Sequence, residues 1–138
     1  FVLEELDTRS SAVELIVGAR RDPAFGPVVL VGIGGVRTEV YRDVQLALAP
    51  VTAEQARAML GRLRGAPLLG GWRGAPAVDV DAAAEVAASV SRLVAEQTDV
   101  IEVEINPLRV GPDGAVAVDA LVVLADAGVP AHHLEGDR

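Results

Sequence analysis

Two carboxylates and one side-chain amide are spaced so that a single cation could contact all three. Glu104 and Asn106 lie in residues 101–106, Ile-Glu-Val-Glu-Ile-Asn, where apolar and polar residues alternate. Alternation with a period of two predicts a strand with one apolar face and one face that carries oxygen ligands. Asp119 lies in the strand predicted after a turn, where a second alternating run precedes residues 121–124, which finish that strand. Oxygen ligands of this kind suit Mg²⁺, which often completes its shell with substrate phosphates.

A four-residue turn is expected to bring Asp119 beside Asn106. Gly111-Pro-Asp-Gly114 separates the two runs, with proline preset for a turn and glycine free to take a positive φ. Without a bulge, Gly111 faces Gly114, and the same register places Asn106 opposite Asp119. A G1 bulge at Gly114 would shift this register by one residue. From these residues alone, the solvated face of an edge hairpin explains the pattern equally well.

Composition limits the kinds of protein this chain can be. Its 138 residues allow one domain with a real core, and its 51% hydrophobic but only 3% aromatic content predicts small aliphatic core side chains. The net charge of −8 argues against nucleic-acid binding, and no apolar run approaches the roughly 20 residues that span a bilayer. The absence of cysteine excludes disulfides and suits a cytoplasmic location. Every basic residue is arginine, so chemistry that needs lysine must find it elsewhere.

The strands that would position the hairpin are predicted along the first third of the chain. The runs Phe1–Leu6, Ala12–Arg21 and Val28–Val31 are separated by short polar turns, which indicates an antiparallel meander. Val36–Tyr41 and Val44–Leu48 predict two further short extended segments.

Two helices are predicted between these strands and the hairpin. Thr52 and Gln55 form a capping-box pattern, and Gly65 is expected to end the helix that follows. Asp79 or Asp81 caps a second helix, which runs to about Gln97. Residues 67–76 contain too much glycine and proline for regular structure. Together, these strands and helices predict an α+β layer domain, in which two helices cover an antiparallel or mixed sheet.

Several blocks together resemble one known family. Residues 104–108, Glu-Ile-Asn-Pro-Leu, with Val118-Asp119, are similar to the metal-binding hairpin of the succinyl-CoA synthetase β chain. The remaining blocks resemble the NDP-forming acyl-CoA synthetases, such as ADP-forming acetate–CoA ligase. These blocks are Val13-Glu-Leu-Ile-Val-Gly18, Arg21-Asp-Pro-Ala-Phe-Gly-Pro27, Gly32-Ile-Gly-Gly-Val36 and Leu68-Leu-Gly-Gly-Trp-Arg-Gly74. The single residues Glu39 and Asp43 and the block Leu48-Ala-Pro50 fit the same resemblance.

This resemblance implies a fold and the residue range that forms it. Residues 1–125 would form the C-terminal subdomain of an ATP-grasp domain, a mostly antiparallel sheet covered by two helices, and residues 126–138 a polar tail. Such enzymes convert acyl-CoA, ADP and phosphate into free acid, CoA and ATP through a phosphohistidine carried on another domain. The implied cofactor is Mg²⁺, with ATP or ADP as substrate.

The resemblance also implies site residues and partners. Glu104, Asn106 and Asp119 would bind the metal. The implied nucleotide-binding residues are Glu5 at the adenine edge, Glu14 at the ribose hydroxyls, and Gly34 and Gly35 at the phosphoryl-transfer region. The lysine that grips phosphate in this family and the CoA-binding and ligase domains are missing from this sequence. We therefore expect the chain to need the remaining ATP-grasp half and those domains, and to be inactive alone.

Two other interpretations of the sequence remain open. Some protein lysine acetyltransferases carry a similar synthetase-like region as a regulatory module, which would sense a ligand without turning it over. A third interpretation is an acidic α+β interaction domain that binds no nucleotide. A half-domain also exposes the face its partner would cover, so homo-oligomers are a further expectation.

Overall fold

The computed structural model places six strands in one antiparallel sheet and packs helices against one of its faces; it describes residue 3 and residues 6–8, 11–35 and 42–126. The strands are β1 (Val13–Asp22), β2 (Gly26–Ile33), β3 (Val44–Leu48), β4 (Val100–Gly111), β5 (Gly114–Ala117) and β6 (Ala120–Leu124). The helices are α1 (Ala53–Gly61), α2 (Ala66–Leu69) and α3 (Val80–Glu96). The strand order is β3-β2-β1-β4-β5, and β6 pairs with the same edge of β4 as β5. The predicted α+β class with a mostly antiparallel sheet is confirmed.

A hairpin of β1 and β2 forms the centre of the sheet. The Asp22 carboxylate closes its turn by accepting hydrogen bonds from the backbone N–H groups of Ala24 at 2.8 Å and Phe25 at 3.0 Å. The strands predicted at Ala12–Arg21, Val28–Val31 and Val44–Leu48 are all present. The predicted Val36–Tyr41 segment lies outside the described residues, as does the Phe1–Leu6 run apart from Leu3 and Leu6.

The capping box of α1 is confirmed, but the helix ends earlier than predicted. Gln55 N donates to Thr52 Oγ1 at 3.1 Å, and Thr52 N donates to Gln55 Oε1 at 2.8 Å. The last helical residue is Gly61, not a residue next to Gly65. The Asp43 carboxylate accepts the N–H groups that follow, those of Arg64 and Gly65, so they cannot continue the helical ladder.

The segment predicted to be irregular contains a short helix. Residues 66–69 form α2, with Pro67 in its first turn, where a backbone N–H is not needed. Proline therefore favours a helix start here, and the prediction of irregular structure was wrong for these residues. Asp79, the first of the two predicted caps, begins α3 by accepting a hydrogen bond from Ala82 N at 2.9 Å.

The core lies between the sheet and the helices. Leu15, Val17, Val29 and Val31 are fully buried on β1 and β2. Across from them α3 presents alanines, whose small side chains let the helix approach the sheet closely. Within the described residues, no element covers the opposite face of the sheet, which we call the open face. No helix in that part of the chain is long and apolar enough to cross a membrane.

A bulge in β4 changes which of its residues face the core. Val103 and Ile105 are buried before it, and Leu108 and Val110 after it, while the pairing with β1 shifts between Leu15 and Val17. Directly across from Pro107, the strand predicted to run through to Leu124 is interrupted. Proline has no N–H to donate to the ladder, so β5 and β6 are two separate strands.

Candidate functional site

The predicted hairpin register is confirmed. Gly111 pairs with Gly114, without the one-residue shift of a G1 bulge. Asn106 N donates a hydrogen bond of 3.0 Å to Asp119 O, which places these two residues directly opposite each other. Residues opposite each other on adjacent strands have Cβ atoms about 5 Å apart. The sequence thus correctly predicted that Asn106 and Asp119 lie opposite each other.

Glu104 lies on the open face, two residues before Asn106. It pairs with Gly18 on β1 and with Leu121 on β6, and its side chain is half-buried. Gly18 has no side chain, so the surface beside Glu104 stays free for a ligand. Glu104 also lines a groove of about 810 Å³ along the open face. The apolar part of that lining includes Ile16, Leu30, Val44 and Leu46.

The donor set fits magnesium that is also bound by a substrate. Among the described residues, no three His, Cys, Asp or Glu side chains form a group that could hold a metal ion. One or two carboxylates with an amide oxygen, completed by water and phosphate oxygens, match the way Mg²⁺ binds in nucleotide sites. Glu104, Asn106 and Asp119 would therefore hold the ion together with its nucleotide and not as an all-protein cage.

A second group of predicted residues meets where β1 begins and β2 ends. Gly34 N donates to Glu14 O at 2.7 Å. A Cβ atom added to Gly35, whose φ is +91°, would lie 3.3 Å from Glu14 Oε2. The structure thus brings together Glu14, Gly34 and Gly35, and Glu14 pairs with Arg109, three positions after Asn106 on β4. Glu5 lies outside the described residues.

The sequence did not predict the contact between Arg109 on β4 and Asp7 in the segment before β1. Arg109 Nη1 donates to Asp7 O at 3.0 Å, and Arg109 Nε lies 3.5 Å from Asp7 Oδ2. Both side chains are mostly buried, with exposed fractions of 24% and 14%. The only signal in the sequence was an arginine between two apolar residues of the hairpin, which does not reveal a partner 102 residues away.

The chain is similar in sequence to several known proteins. The family model of the ATP-grasp domain matches residues 1–124. The chain is 40% identical over 111 residues to subunit β of ADP-forming acetate–CoA ligase I from Pyrococcus furiosus, covering 80% of this chain and 48% of that protein. It is also 40% identical over 113 residues to ADP-forming acetate–CoA ligase I from Archaeoglobus fulgidus, covering 82% of this chain and 16% of that protein.

Solved structures agree with the sequence matches. Dinucleotide-forming acetyl-coenzyme A synthetase 1 from Ca. Korarchaeum cryptofilum, in complex with coenzyme A and Mg-AMPPCP, superposes with a TM-score of 0.78 at 38% identity, covering 82% of this chain and 53% of that one. Its apo form gives a TM-score of 0.81 at 36% identity, covering 88% and 57%. The chain therefore spans about half the length of the subunits it matches, and less of the longer proteins.

Proposed function

Because this chain belongs to the ATP-grasp domain family, we propose that it is the nucleotide- and magnesium-binding lobe of an ADP-forming acyl-CoA synthetase. The whole enzyme would convert acyl-CoA, ADP and phosphate into the free acid, CoA and ATP. The similarity to acetate–CoA ligases supports this reaction class. Since the chain spans about half of the related β subunit, the activity belongs to a larger assembly.

One observation carries the proposal most directly. Asn106 on β4 is paired with Asp119, which lies between β5 and β6, and Glu104, two residues before Asn106, lines the open-face groove. The groove has an apolar lining, which suits a nucleobase, and the Glu104 carboxylate in that lining is an oxygen ligand that suits a metal-bound polyphosphate. A hairpin with only a structural role does not require a carboxylate to border such a groove.

Each predicted residue has a role in this proposal. Glu104, Asn106 and Asp119 bind Mg²⁺, whose charge offsets the repulsion between phosphate groups when it is bound. Glu14 accepts hydrogen bonds from the ribose hydroxyls, because a carboxylate can accept two at once. Gly34 and Gly35 let the backbone approach the phosphoryl-transfer region. Glu5 contacts the adenine edge.

The missing groups must come from outside residues 1–138. The chain has no lysine to grip phosphate, so the other half of the ATP-grasp domain has to supply one. The CoA-binding and ligase domains supply the phosphohistidine, in the same chain or another. In the related archaeal structure, a phosphohistidine segment points towards the nucleotide-binding site. A cytoplasmic location remains a prediction from the cysteine-free composition.

Calorimetric titration of the full-length protein with ATP and Mg²⁺ tests the metal site. Asp119→Ala should weaken magnesium-dependent ATP binding by more than about tenfold, equivalent to about 1.4 kcal/mol, because it removes a ligand of the bound ion. Asp113→Ala is the matched control, because it removes the same charge from the exposed turn of the same hairpin. Equal affinities of the two variants would contradict the proposed metal site.

A second measurement tests the reaction. The full-length protein should transfer the γ-phosphoryl group of ATP to one of its histidines and release ADP. ATP binding without this transfer would instead support the regulatory module of a lysine acetyltransferase.

A further inference from the structure

Three segments meet at the end of the sheet where Gly34 lies, and Asp43 contacts all of them. Its backbone oxygen accepts a hydrogen bond from Ile33 N at 3.1 Å, which joins the start of β3 to the end of β2. Its carboxylate accepts one from Arg64 N at 2.8 Å and another from Gly65 N at 2.7 Å. One residue thus connects β2, β3 and the junction between α1 and α2.

The junction is in close contact with the glycine segment. A Cβ atom added to Gly65 would lie 2.7 Å from Ile33 Cγ1 and 3.2 Å from Asp43 Oδ2, so a larger residue would push the junction away. Ile33 is the residue before Gly34, and Gly34 N is bonded to Glu14 O on β1. The glycine pair is therefore fixed from β1 on one side and from Asp43 and the α1–α2 junction on the other.

We propose that Asp43 is a positioning residue for phosphoryl transfer, an inference that rests on the proposed function above. Its carboxylate does not act on the nucleotide. It holds the α1–α2 junction against Ile33 and so fixes the location of Gly34 and Gly35. Hydrogen bonds to a charged acceptor are stronger than neutral ones, so two of them resist displacement of the junction. Phosphoryl transfer depends mainly on positioning, so a small shift of these glycines slows transfer more than it weakens binding.

The chain contains a matched control for this role. Asp22 also accepts two backbone N–H bonds, at 2.8 and 3.0 Å, but it does so in the β1–β2 turn at the opposite end of the sheet. Asp22→Asn and Asp43→Asn remove the same charge and weaken the same kind of bond. A purely structural role predicts similar effects of both substitutions on every property, whereas a positioning role predicts a difference in transfer rate.

The experiment uses the full-length protein and ATP labelled in its γ-phosphate. Single-turnover transfer of the label to the protein is followed at several ATP concentrations, and thermal unfolding is measured alongside. We expect Asp43→Asn to lower the rate at saturating ATP by about tenfold or more, with the half-saturating ATP concentration changed by less than about threefold. Asp22→Asn should keep the wild-type rate, and Asp43→Ala, which loses both acceptors, should be slower than Asp43→Asn.

A second variant covers the case in which Asp43 variants fail to fold. Gly65→Ala keeps the Asp43 carboxylate but displaces the junction from Ile33, so it should reproduce the rate loss. Wild-type transfer rates in Asp43→Asn and Gly65→Ala, or equal losses in Asp43→Asn and Asp22→Asn, would overturn the positioning role alone. No labelling of the wild-type protein would overturn the proposed function, and this inference with it.

Discussion

Added volume at Gly34 should harm both the fold and the site. A Cβ atom there would lie 3.1 Å from the backbone of Glu14 and Leu15, and backbone atoms cannot move aside as a flexible side chain can. We expect Gly34→Ala to lower the free energy of unfolding by about 1–3 kcal/mol and to weaken ATP binding. Chemical denaturation and calorimetric titration measure the two effects.

Gly61 provides the control for this substitution. It is the last residue of α1, and a Cβ atom there would meet nothing within 4 Å. Gly61→Ala should leave ATP binding unchanged and raise stability by up to about 1 kcal/mol. If both alanine variants behave alike, the close approach at Gly34 has no functional meaning.

Asp22 should make stability depend on pH in the acid range. Hydrogen bonds from the backbone N–H groups of Ala24 and then Phe25 lower the pKa of its carboxyl below the ordinary value. A lowered pKa in the folded state stabilises the protein above the unfolded-state pKa, and this contribution is lost as the pH falls through the folded-state value. Between about pH 5 and pH 3, the free energy of unfolding should therefore fall more steeply for the wild type than for Asp22→Asn. Parallel curves in urea titrations would contradict this.

At the scale of single residues, the sequence predicts backbone pairing next to a short turn but not side-chain contacts between distant residues. The pairing of Asn106 with Asp119 was predictable because a short turn fixes the register of the strands beside it. The link between Arg109 and Asp7 was not, because it joins residues 102 positions apart through side-chain reach. The hydrogen bond from Gly65 N to Asp43 joins residues 22 positions apart. It forms because the α1–α2 junction packs against the start of β3, and no local sequence pattern encodes that packing.

At the scale of elements, Arg21 ties the end of α3 to the sheet. Its guanidinium donates to Val100 O at 3.1 Å and Gln97 O at 2.9 Å, and also to Val94 O. Val94 O lies in the last turn of α3 and Gln97 O at its C-cap, where carbonyl groups lack helical partners, and Val100 O lies at the start of β4. Arg21 therefore acts as a cap from outside the helix, with its positive charge at the favourable end of the helix dipole.

Removal of this cap should loosen the helix–sheet packing. We expect Arg21→Ala to lower the free energy of unfolding by about 2–3 kcal/mol, since hydrogen bonds that involve a charged group contribute more than neutral ones. Arg20→Ala is the control, because the neighbouring side chain is 65% exposed and its nearest carboxylate, Asp22, is 3.8 Å away. Denaturant unfolding measured for both variants should show a clear loss only for Arg21→Ala, and equal losses would refute the capping role.

Most elements were predictable because their signals are local. The capping box at Thr52, the cap at Asp79 and the alternation in β1 and β4 each specify structure within a few residues. The errors arose where distant parts of the chain intervene or where proline was misjudged. Asp43, directly before β3, stops the continuation of α1. Pro67 starts a short helix, and Pro107 interrupts the strand opposite it.

At the scale of the whole molecule, the open face should make the 138-residue chain associate with itself. Leu46 and Leu48 on β3 are 66% and 64% exposed, beside the apolar groove. Exposed apolar patches of this kind drive association. Sedimentation velocity should show a concentration-dependent increase in size, and a Leu46→Lys, Leu48→Lys double variant should suppress it without a loss of thermal stability.

Leu93 is the control for this surface. It is 40% exposed on α3, on the other side of the sheet from the groove. Leu93→Lys should leave the association unchanged. If this variant and the double variant suppress association equally, the effect is one of net charge and not of the open face.

The break between β5 and β6 has a consequence for the dynamics of the site. Within the described part of the chain, β6 pairs only with β4, and its first residue directly follows Asp119. A local opening that released β6 while β5 stayed paired would carry Asp119 away from Asn106. A ligand that binds both residues must oppose that opening, because it stabilises only the closed state. The amide hydrogens of residues 120–124 therefore exchange with solvent at a rate that reports whether the two halves of the metal site are held together.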